Sequence, residues 1–249
     1  IANLILFHRR ALFRENFLKP QRPWSLSAGV PPTRYEIGNS LTETEAKSLQ
    51  DSFFLLPCEE GSETEYAKNF PFLENLLEKP NPPEIMSVMT AKGLDLKKVV
   101  VFGFGKTLFP DGLPQVNEDD TPFTHNIGLA YAINKLYVAV TRSKDQLLIM
   151  DTNRGHKMLW DQLLNRTRIN DILEGMGKDI SKQWIEVLPD DDALPVWDNA
   201  NFFAPLNVEE LIDQAEVLKR SGMELRRSDF MEKAAAFYRK ASKVEDENK

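Results

Sequence analysis

The chain of 249 residues is acidic and moderately apolar, with 31 Lys and Arg against 38 Asp and Glu, a formal net charge of −7, and 42% hydrophobic residues. This apolar share supports one or two folded domains and excludes a disordered polar tail. Apolar runs such as 99–102 are far shorter than the roughly 20 residues of a membrane-spanning helix, so we predict no membrane association. The acidic runs at 190–192 and 245–247 are typical of solvated linkers, so the acidic balance weighs only weakly against nucleic-acid binding.

Cysteine and histidine are too few to form a disulfide or a zinc site. Cys58 is the single cysteine, and His8, His125 and His156 lack the spacing of metal ligands. We therefore predict no metal site from the chain's own residues. The unpaired cysteine favours a reducing, intracellular compartment, the cytoplasm in a bacterium or the nucleus in a eukaryote. Because residue 1 is Ile rather than Met, we expect the chain to begin inside a larger protein.

Apolar periodicity predicts alternating strands and helices over the first 150 residues. Two compact runs rich in β-branched residues, 85–89 and 98–102, are typical of central strands buried on both faces. The predicted helices are 1–17, 42–50, 63–78 and 126–143, and the predicted strands are 33–37, 53–56, 85–89, 98–102 and 146–150. This order predicts an α/β fold with a parallel sheet, right-handed crossovers and a ligand crevice at the carboxyl ends of the strands.

The chain divides into three predicted segments. Residues 1–165 form the α/β domain, and residues 166–206 are interpreted as a linker or wrapping segment because of the proline-rich stretch 189–205. Residues 207–249 predict an antiparallel helical hairpin. An isolated hairpin would leave its apolar face in water, so we expect it to dock on the α/β domain or on neighbouring repeats.

Residues 103–107, GFGKT, have the Gly-Lys-Thr ending of a phosphate-binding loop. The full pattern also needs a glycine five positions before Gly105, where Val100 lies inside a predicted strand. It further needs a helix after Thr107, where residues 108–112 predict a turn. We therefore predict no nucleotide-binding loop at this position.

Two other segments are more specific. Residues 87–99, SVMTAKGLDLKKV, resemble motif V of superfamily 1 helicases of the UvrD and Rep kind, in which a Lys-Gly-Leu-Glu core lies between two strands. Residues 136–144, LYVAVTRSK, resemble motif VI of the same family, with its Tyr-Val-Ala-x-Thr-Arg core. The order and separation of the two segments match that family. The resemblance covers residues 1–165 and implies a RecA-like fold, the second of two RecA-like domains that close on ATP.

The resemblance also implies roles for individual residues. Arg142 is expected to be an arginine finger, since a guanidinium fixed by the packing of a helix suits phosphate oxygens. Gly93 and Asp95 are expected to line the nucleotide crevice together with Lys92, because glycine allows close approach and a carboxylate accepts from a ribose hydroxyl. The expected contacts to single-stranded nucleic acid, taken to be DNA, come from Ser87, Thr90 and Thr141.

Some positions depart from the family pattern. Met89 and Thr90 occupy the stretch where the family has His or Glu, and Asp95 replaces the usual Glu. The alternative interpretation of Arg142 is a surface ion pair with Asp145 or another carboxylate. These departures favour a degenerate domain slightly, whereas the intact Tyr-Val-Ala-Val-Thr-Arg run favours an enzyme.

The predicted C-terminal hairpin carries a third resemblance, to one tetratricopeptide repeat, with a generic hairpin as the alternative. Small residues stand where its two helices would approach each other: Ala215, Gly222, Ala234 and Ala241.

Superfamily 1 enzymes take the Walker A and Walker B motifs from their first RecA-like domain, and neither pattern occurs in this sequence. The resemblance therefore implies the C-terminal half of an ATP-dependent DNA helicase or translocase. ATP and Mg²⁺ would bind in a site completed by another domain, and this fragment alone would be inactive. The competing interpretation is a degenerate helicase-like module that binds protein partners through the hairpin.

Overall fold

Short apolar runs form five strands of a single sheet in the computed structural model, which describes residues 1–13, 32–38, 41–114, 126–175, 181 and 202–247. All strand pairs are parallel, and the strand order is β1-β5-β4-β2-β3. The prediction of an α/β fold with a parallel sheet is confirmed. The strands are β1 (Thr33–Glu36), β2 (Phe53–Leu56), β3 (Glu84–Ser87), β4 (Leu96–Phe102) and β5 (Ser143–Asp151).

Helices cover both faces of this sheet. In chain order they are α1 (Ala2–Phe13), α2 (Glu43–Leu49), α3 (Glu63–Lys68), α4 (Pro71–Leu77), α5 (Phe104–Leu108), α6 (Ile127–Val140), α7 (Asn153–Gly155), α8 (Asp161–Leu163), α9 (Arg166–Glu174), α10 (Val208–Leu225) and α11 (Ser228–Glu247). A π-helical turn, His156–Trp160, joins α7 to α8. A capping box begins α2, where Thr42 and Glu45 exchange hydrogen bonds.

Side-chain alternation along β4 divides the core into two layers. Val99 and Val101 face a first layer that contains α1, α6, α10 and α11, whereas Val100 and Phe102 face a second layer that contains α2, α3 and α4. Helix α9 packs separately on α1 through Ile169 and its neighbours. The sheet is therefore buried on both sides, and β4 is a central strand as predicted. The prediction of a second central strand at 85–89 is wrong, because β3 pairs only with β2 and lies at the edge of the described sheet.

Proline and loop geometry explain where predicted boundaries differ. The predicted helix 63–78 is two helices, because Phe70 before Pro71 is extended and the proline takes the first position of α4. The predicted turn after Thr107 begins later, since α5 runs to Leu108. Residues 14–17 of the first predicted helix and residues 182–201 of the predicted linker lie outside the described residues.

The connection from β3 to β4 contains no helix, yet it passes across β2, which lies between the two strands. Residues 88–95 make this crossing and bury Val88, Ala91 and Leu94 in the first layer. In a parallel sheet the crossing must also return from the carboxyl end of β3 to the amino end of β4. This short segment carries most of the motif V resemblance.

Helices α10 and α11 pack against each other and on the sheet. The ring of Phe237 stacks on Phe53 of β2 at 5.4 Å between centroids, and Leu218 is buried beside them in the first layer. Ion pairs link α11 to the start of β3 and to the residues before β2, with Lys233 Nζ 3.3 Å from Glu84 and Lys240 Nζ 3.3 Å from Asp51. The two C-terminal helices therefore share a core with the sheet.

Candidate functional site

The segments that resemble motifs V and VI meet at the amino ends of β4 and β5. The backbone N–H of Leu96 donates to the carbonyl of Arg142 at 2.9 Å, and Leu96 pairs with Ser143 in the parallel ladder. In the reverse direction, Nη1 of Arg142 donates to the carbonyl of Leu94 at 3.1 Å. Side chain and backbone thus join two segments that are 48 residues apart.

Arg142 is half-buried just beyond the end of α6, and its guanidinium hydrogen-bonds to neutral oxygens of the described residues. Nε donates to Val138 O at 3.2 Å, and Nη2 lies 3.4 Å from Thr141 Oγ1. Among the described residues no carboxylate oxygen lies within 4.0 Å of it, so the alternative ion pair with Asp145 is not formed. The charge is oriented but not neutralised, which suits a site for an anion.

Lys92, Gly93 and Asp95 lie in the turn before β4, and all three are exposed. Gly93 has φ of +88°, which favours glycine, but a Cβ built there would meet no atom within 4 Å. Backbone conformation, not crowding, therefore requires glycine at this position within the described structure.

Thr141 is one of the residues that hydrogen-bond to the Arg142 guanidinium. We call this group, Leu94, Val138, Thr141 and Arg142, the Arg142 cluster. The Thr141 hydroxyl lies 3.0 Å from the carbonyls of both Tyr137 and Val138, in the preceding turn of α6. The same oxygen is the acceptor nearest to Nη2 of Arg142. The structure therefore places Thr141 as a support for the guanidinium, away from Ser87 and Thr90, with which the sequence grouped it.

Ser87 and Thr90 lie at the carboxyl end of β3 and turn inward. Their exposed fractions are 0% and 7%, and their hydroxyl oxygens are 3.0 Å apart. The backbone N–H of Thr90 donates to Ser87 Oγ at 3.1 Å, while the N–H of Ser87 donates to Glu63 at 3.0 Å. Met89, between them, is 47% exposed and presents the side chain that a ligand would meet.

The two groups of predicted site residues lie at opposite ends of the sheet. Ser87 is paired with Leu56, and Leu55 with Val101, so Ser87 is level with the end of β4. Leu96 begins the same strand, about 20 Å away at the usual rise per residue. The prediction of a ligand crevice at the carboxyl ends of the strands is therefore wrong for Arg142, which lies at the amino end of β5. Segment 88–95 returns along the full length of the sheet, so Leu94 lies at that end and Ser87 at the other.

At the carboxyl ends of β4 and β5 a buried carboxylate occupies the amides that a phosphate would need. Asp151 accepts from Gly105 N at 2.6 Å, from Thr152 N at 2.9 Å and from Trp160 Nε1 at 3.0 Å. Burial raises the pKa of the Asp151 carboxyl above its ordinary value, although these hydrogen bonds offset part of the rise. The GFGKT run therefore forms the N-cap and the body of the short helix α5, held by Asp151, and Val100 lies within β4 as predicted.

A contact that the sequence did not predict lies beside the Arg142 cluster. The N–H of Lys97 donates to Oε1 of Gln214 in α10 at 2.8 Å, and Lys97 Nζ is 2.8 Å from Asp213. Gln214 is the polar member of an otherwise apolar stripe that includes Leu211 and Leu218. That interruption of the stripe was the one signal available in the sequence, and only the fold shows its partner.

Comparison of the chain with protein-family models, with curated proteins and with solved structures found no match in any of the three. Within the described ranges, no three His, Cys, Asp or Glu side chains cluster closely enough to hold a metal ion. In the same part of the chain, each helix is too short or too polar to cross a membrane.

Proposed function

We propose that this chain is the second RecA-like domain of an ATP-dependent superfamily 1 helicase or translocase. The observation that supports it best is the hydrogen bond from Arg142 Nη1 to Leu94 O, together with the backbone bond from Leu96 N to Arg142 O. These bonds bring the Arg-containing segment beside the Lys-Gly-Leu-Asp segment, as a shared nucleotide site requires. Packing alone does not call for a half-buried guanidinium that has no carboxylate partner among the described residues.

In this proposal Arg142 is the arginine finger. Val138 and Leu94 hold its guanidinium by their carbonyls, which fixes its direction and lowers the entropy lost on binding phosphate oxygens. Asp95 accepts a hydrogen bond from a ribose hydroxyl, and exposed Lys92 adds positive charge at the same end of the sheet. When bound, ATP would supply the phosphoryl group, and Mg²⁺ would neutralise part of the charge on its phosphates. In this proposal the ligands of Mg²⁺ come from the first RecA-like domain, as the resemblance implies.

Single-stranded nucleic acid, DNA in the first instance, is assigned to the carboxyl end of β3. Exposed Met89 offers an apolar contact there, and the buried hydroxyls of Ser87 and Thr90 hold the turn that presents it. The separation of about 20 Å from the Arg142 cluster lets both ligands bind at once. Segment 88–95 joins the two ends directly and provides a route by which one ligand affects the other.

A degenerate module that binds protein partners is the second candidate. It is favoured by exposed apolar side chains at the turn between α10 and α11, where Met223 is 65% and Leu225 is 56% exposed. The buried small residues Ala215 and Ala234 support the resemblance to a tetratricopeptide repeat. A module of this kind would bind a partner without turning over ATP.

The deciding experiment measures nucleic-acid-stimulated ATP hydrolysis by the full-length protein. Arg142→Ala should lower kcat by about 10³-fold or more, the effect of removing an arginine finger. Arg154→Ala is the matched control, because Arg154 is exposed and donates to Pro110 O at 2.9 Å, far from the cluster. Turnover of Arg142→Ala equal to that of the control would exclude the helicase proposal, and absence of turnover in the unmodified protein would favour the binding module.

A further inference from the structure

The contact between α10 and the start of β4 has a specific geometric cause. The N–H of Leu96 points to β5, where it donates to Arg142 O at 2.9 Å, so the N–H of the next residue points to the opposite side. On that side β2 begins only at Phe53, which is level with Val99. In the part of the chain that the structure describes, no strand therefore lies beside Lys97 on that side, and Oε1 of Gln214 supplies the acceptor at 2.8 Å.

The ladder between β4 and β5 does not fix this end of β4 by itself. Leu96 pairs with Ser143, but Lys98 pairs with Gln146, so the register shifts at Lys97. Irregular pairing of this kind weakens the local ladder and is frequent near active sites. The extra residue lies in β5, between Ser143 and Gln146, and faces Lys97. The bond from Gln214 and the 2.8 Å ion pair from Asp213 hold Lys97 from the other side.

Burying Gln214 at this position is unfavourable for its amide NH₂ group. Gln214 is 0% exposed, and its Nε2 has no hydrogen-bond partner among the described residues. A buried amide donor without an acceptor is unfavourable, and an apolar side chain would fit the stripe between Leu211 and Leu218 without that cost. The acceptor function of Oε1 is thus the physical reason for a glutamine here.

We propose that Gln214 is a positioning residue of the Arg142 site, and that α10 is part of that site. By fixing Lys97, Gln214 fixes the adjoining residues 94–96, whose carbonyl and N–H groups hold Arg142. The inference rests on the proposed function, because it gives Arg142 the role of arginine finger. The two C-terminal helices are then required for turnover and do not serve only to bind partners.

The test compares Gln214→Met with Leu218→Met in the full-length protein. Gln214→Met conserves size and removes the acceptor together with the unpartnered donor, so the fold is kept. Leu218→Met is the matched control, since Leu218 is buried one turn later on the same face of α10 and its side chain has no hydrogen-bonding group. Hydrogen exchange at the Lys97 amide, read by mass spectrometry, should accelerate roughly tenfold in Gln214→Met and remain unchanged in the control.

The same variants are then assayed for nucleic-acid-stimulated ATP hydrolysis. Gln214→Met should lower kcat roughly tenfold with little change in the KM for ATP, because a misplaced finger loses contact mainly in the transition state. Equal exchange at Lys97 in both methionine variants would overturn the inference. So would an unchanged kcat of Gln214→Met when Arg142→Ala abolishes turnover, and in that case the proposed function stands. If Arg142→Ala keeps full turnover, the proposed function fails, and the positioning role falls with it.

Discussion

Nζ of Lys98 lies 2.5 Å from Oγ of Ser48, inside the second core layer between β4 and α2. The ammonium also donates to the carbonyl of Ala204 at 2.8 Å and lies 4.8 Å from the centroid of the Phe202 ring. Within the described structure no carboxylate comes within 4.0 Å of it. Lys98 therefore links the sheet to the segment that leads into α10, at the cost of burying a charge.

Stability should rise with pH because of Lys98. Burial lowers the pKa of Lys98 from 10.5 to about 8 in the folded chain, although the more distant Asp51 and Glu210 oppose this shift. Between these two pH values the unfolded chain binds more protons at this residue than the folded chain, so the free energy of unfolding increases with pH. Urea denaturation at pH 7.5 and pH 10 should show this increase, which amounts to a few kcal/mol at most.

Lys98→Met isolates this contribution. The variant should be more stable than the parent at pH 7.5 and should lack the part of the rise that Lys98 causes. The difference between the two proteins removes the effects of other titrating groups. If the difference in unfolding free energy is the same at both pH values, the Lys98 ammonium is not the source.

Asp151→Asn should destabilise the fold strongly. Each carboxylate oxygen accepts from at least one buried or half-buried N–H, including those of Gly105 and Trp160, and an amide NH₂ in place of one oxygen would face these donors. Leaving one or two donors unsatisfied costs about 1–3 kcal/mol each. Thermal unfolding should show the loss, whereas Asp145→Asn at an exposed position should change stability by less than about 0.5 kcal/mol. A stable Asp151→Asn variant would contradict the role of this carboxylate.

Phe237→Ala should destabilise the sheet as well as the C-terminal helices. Phe237 is buried and stacks on Phe53 of β2, so its removal opens a cavity at the shared core and costs about 3–5 kcal/mol. Because both parts belong to one core, circular dichroism should still show a single unfolding transition at lower denaturant concentration. Met223→Ser, at an exposed position in α10, should unfold like the parent. Two separate transitions would mean that the helices and the sheet are independent.

Local sequence pattern predicted the strands well because their signals are local. Residues 99–102 of β4 and 147–150 of β5 are short apolar runs, which are typical of strands buried on both faces. Thr42 and Glu45 form the capping box that starts α2. Pro71 was visible in the sequence, but apolar periodicity continued through it, and the split into α3 and α4 was missed. Here a proline outweighs a continuous apolar pattern.

The candidate site was predictable only in part because its geometry depends on chain crossing. The resemblance predicted Arg142 and Asp95 as site residues, and the fold places both at the amino ends of neighbouring strands. The resemblance could not show that segment 88–95 crosses the sheet without a helix, which separates Ser87 from Arg142. It also could not show that Gln214 lies beside Lys97, since the two residues are 117 positions apart and only tertiary packing joins them.

The last prediction concerns two glycines with opposite requirements. Gly93 has a positive φ of +88°, so Gly93→Ala strains the turn before β4 and should lower the unfolding free energy by roughly 1–2 kcal/mol. Gly128 lies in α6, where an added Cβ would make only an ordinary contact, 3.6 Å from Asn126 Oδ1. Gly128→Ala should therefore raise the unfolding free energy by up to about 1 kcal/mol, since alanine favours the helix.

Urea denaturation of both variants at neutral pH measures these opposite shifts. The same strain should move Asp95 and the Leu94 carbonyl, so Gly93→Ala should also bind ATP more weakly in the full-length protein than Gly128→Ala does. The comparison separates stability from site geometry, because both changes add the same methyl group. Equal ATP affinity in the two variants, with the expected difference in stability, would show that the turn before β4 takes no part in nucleotide binding.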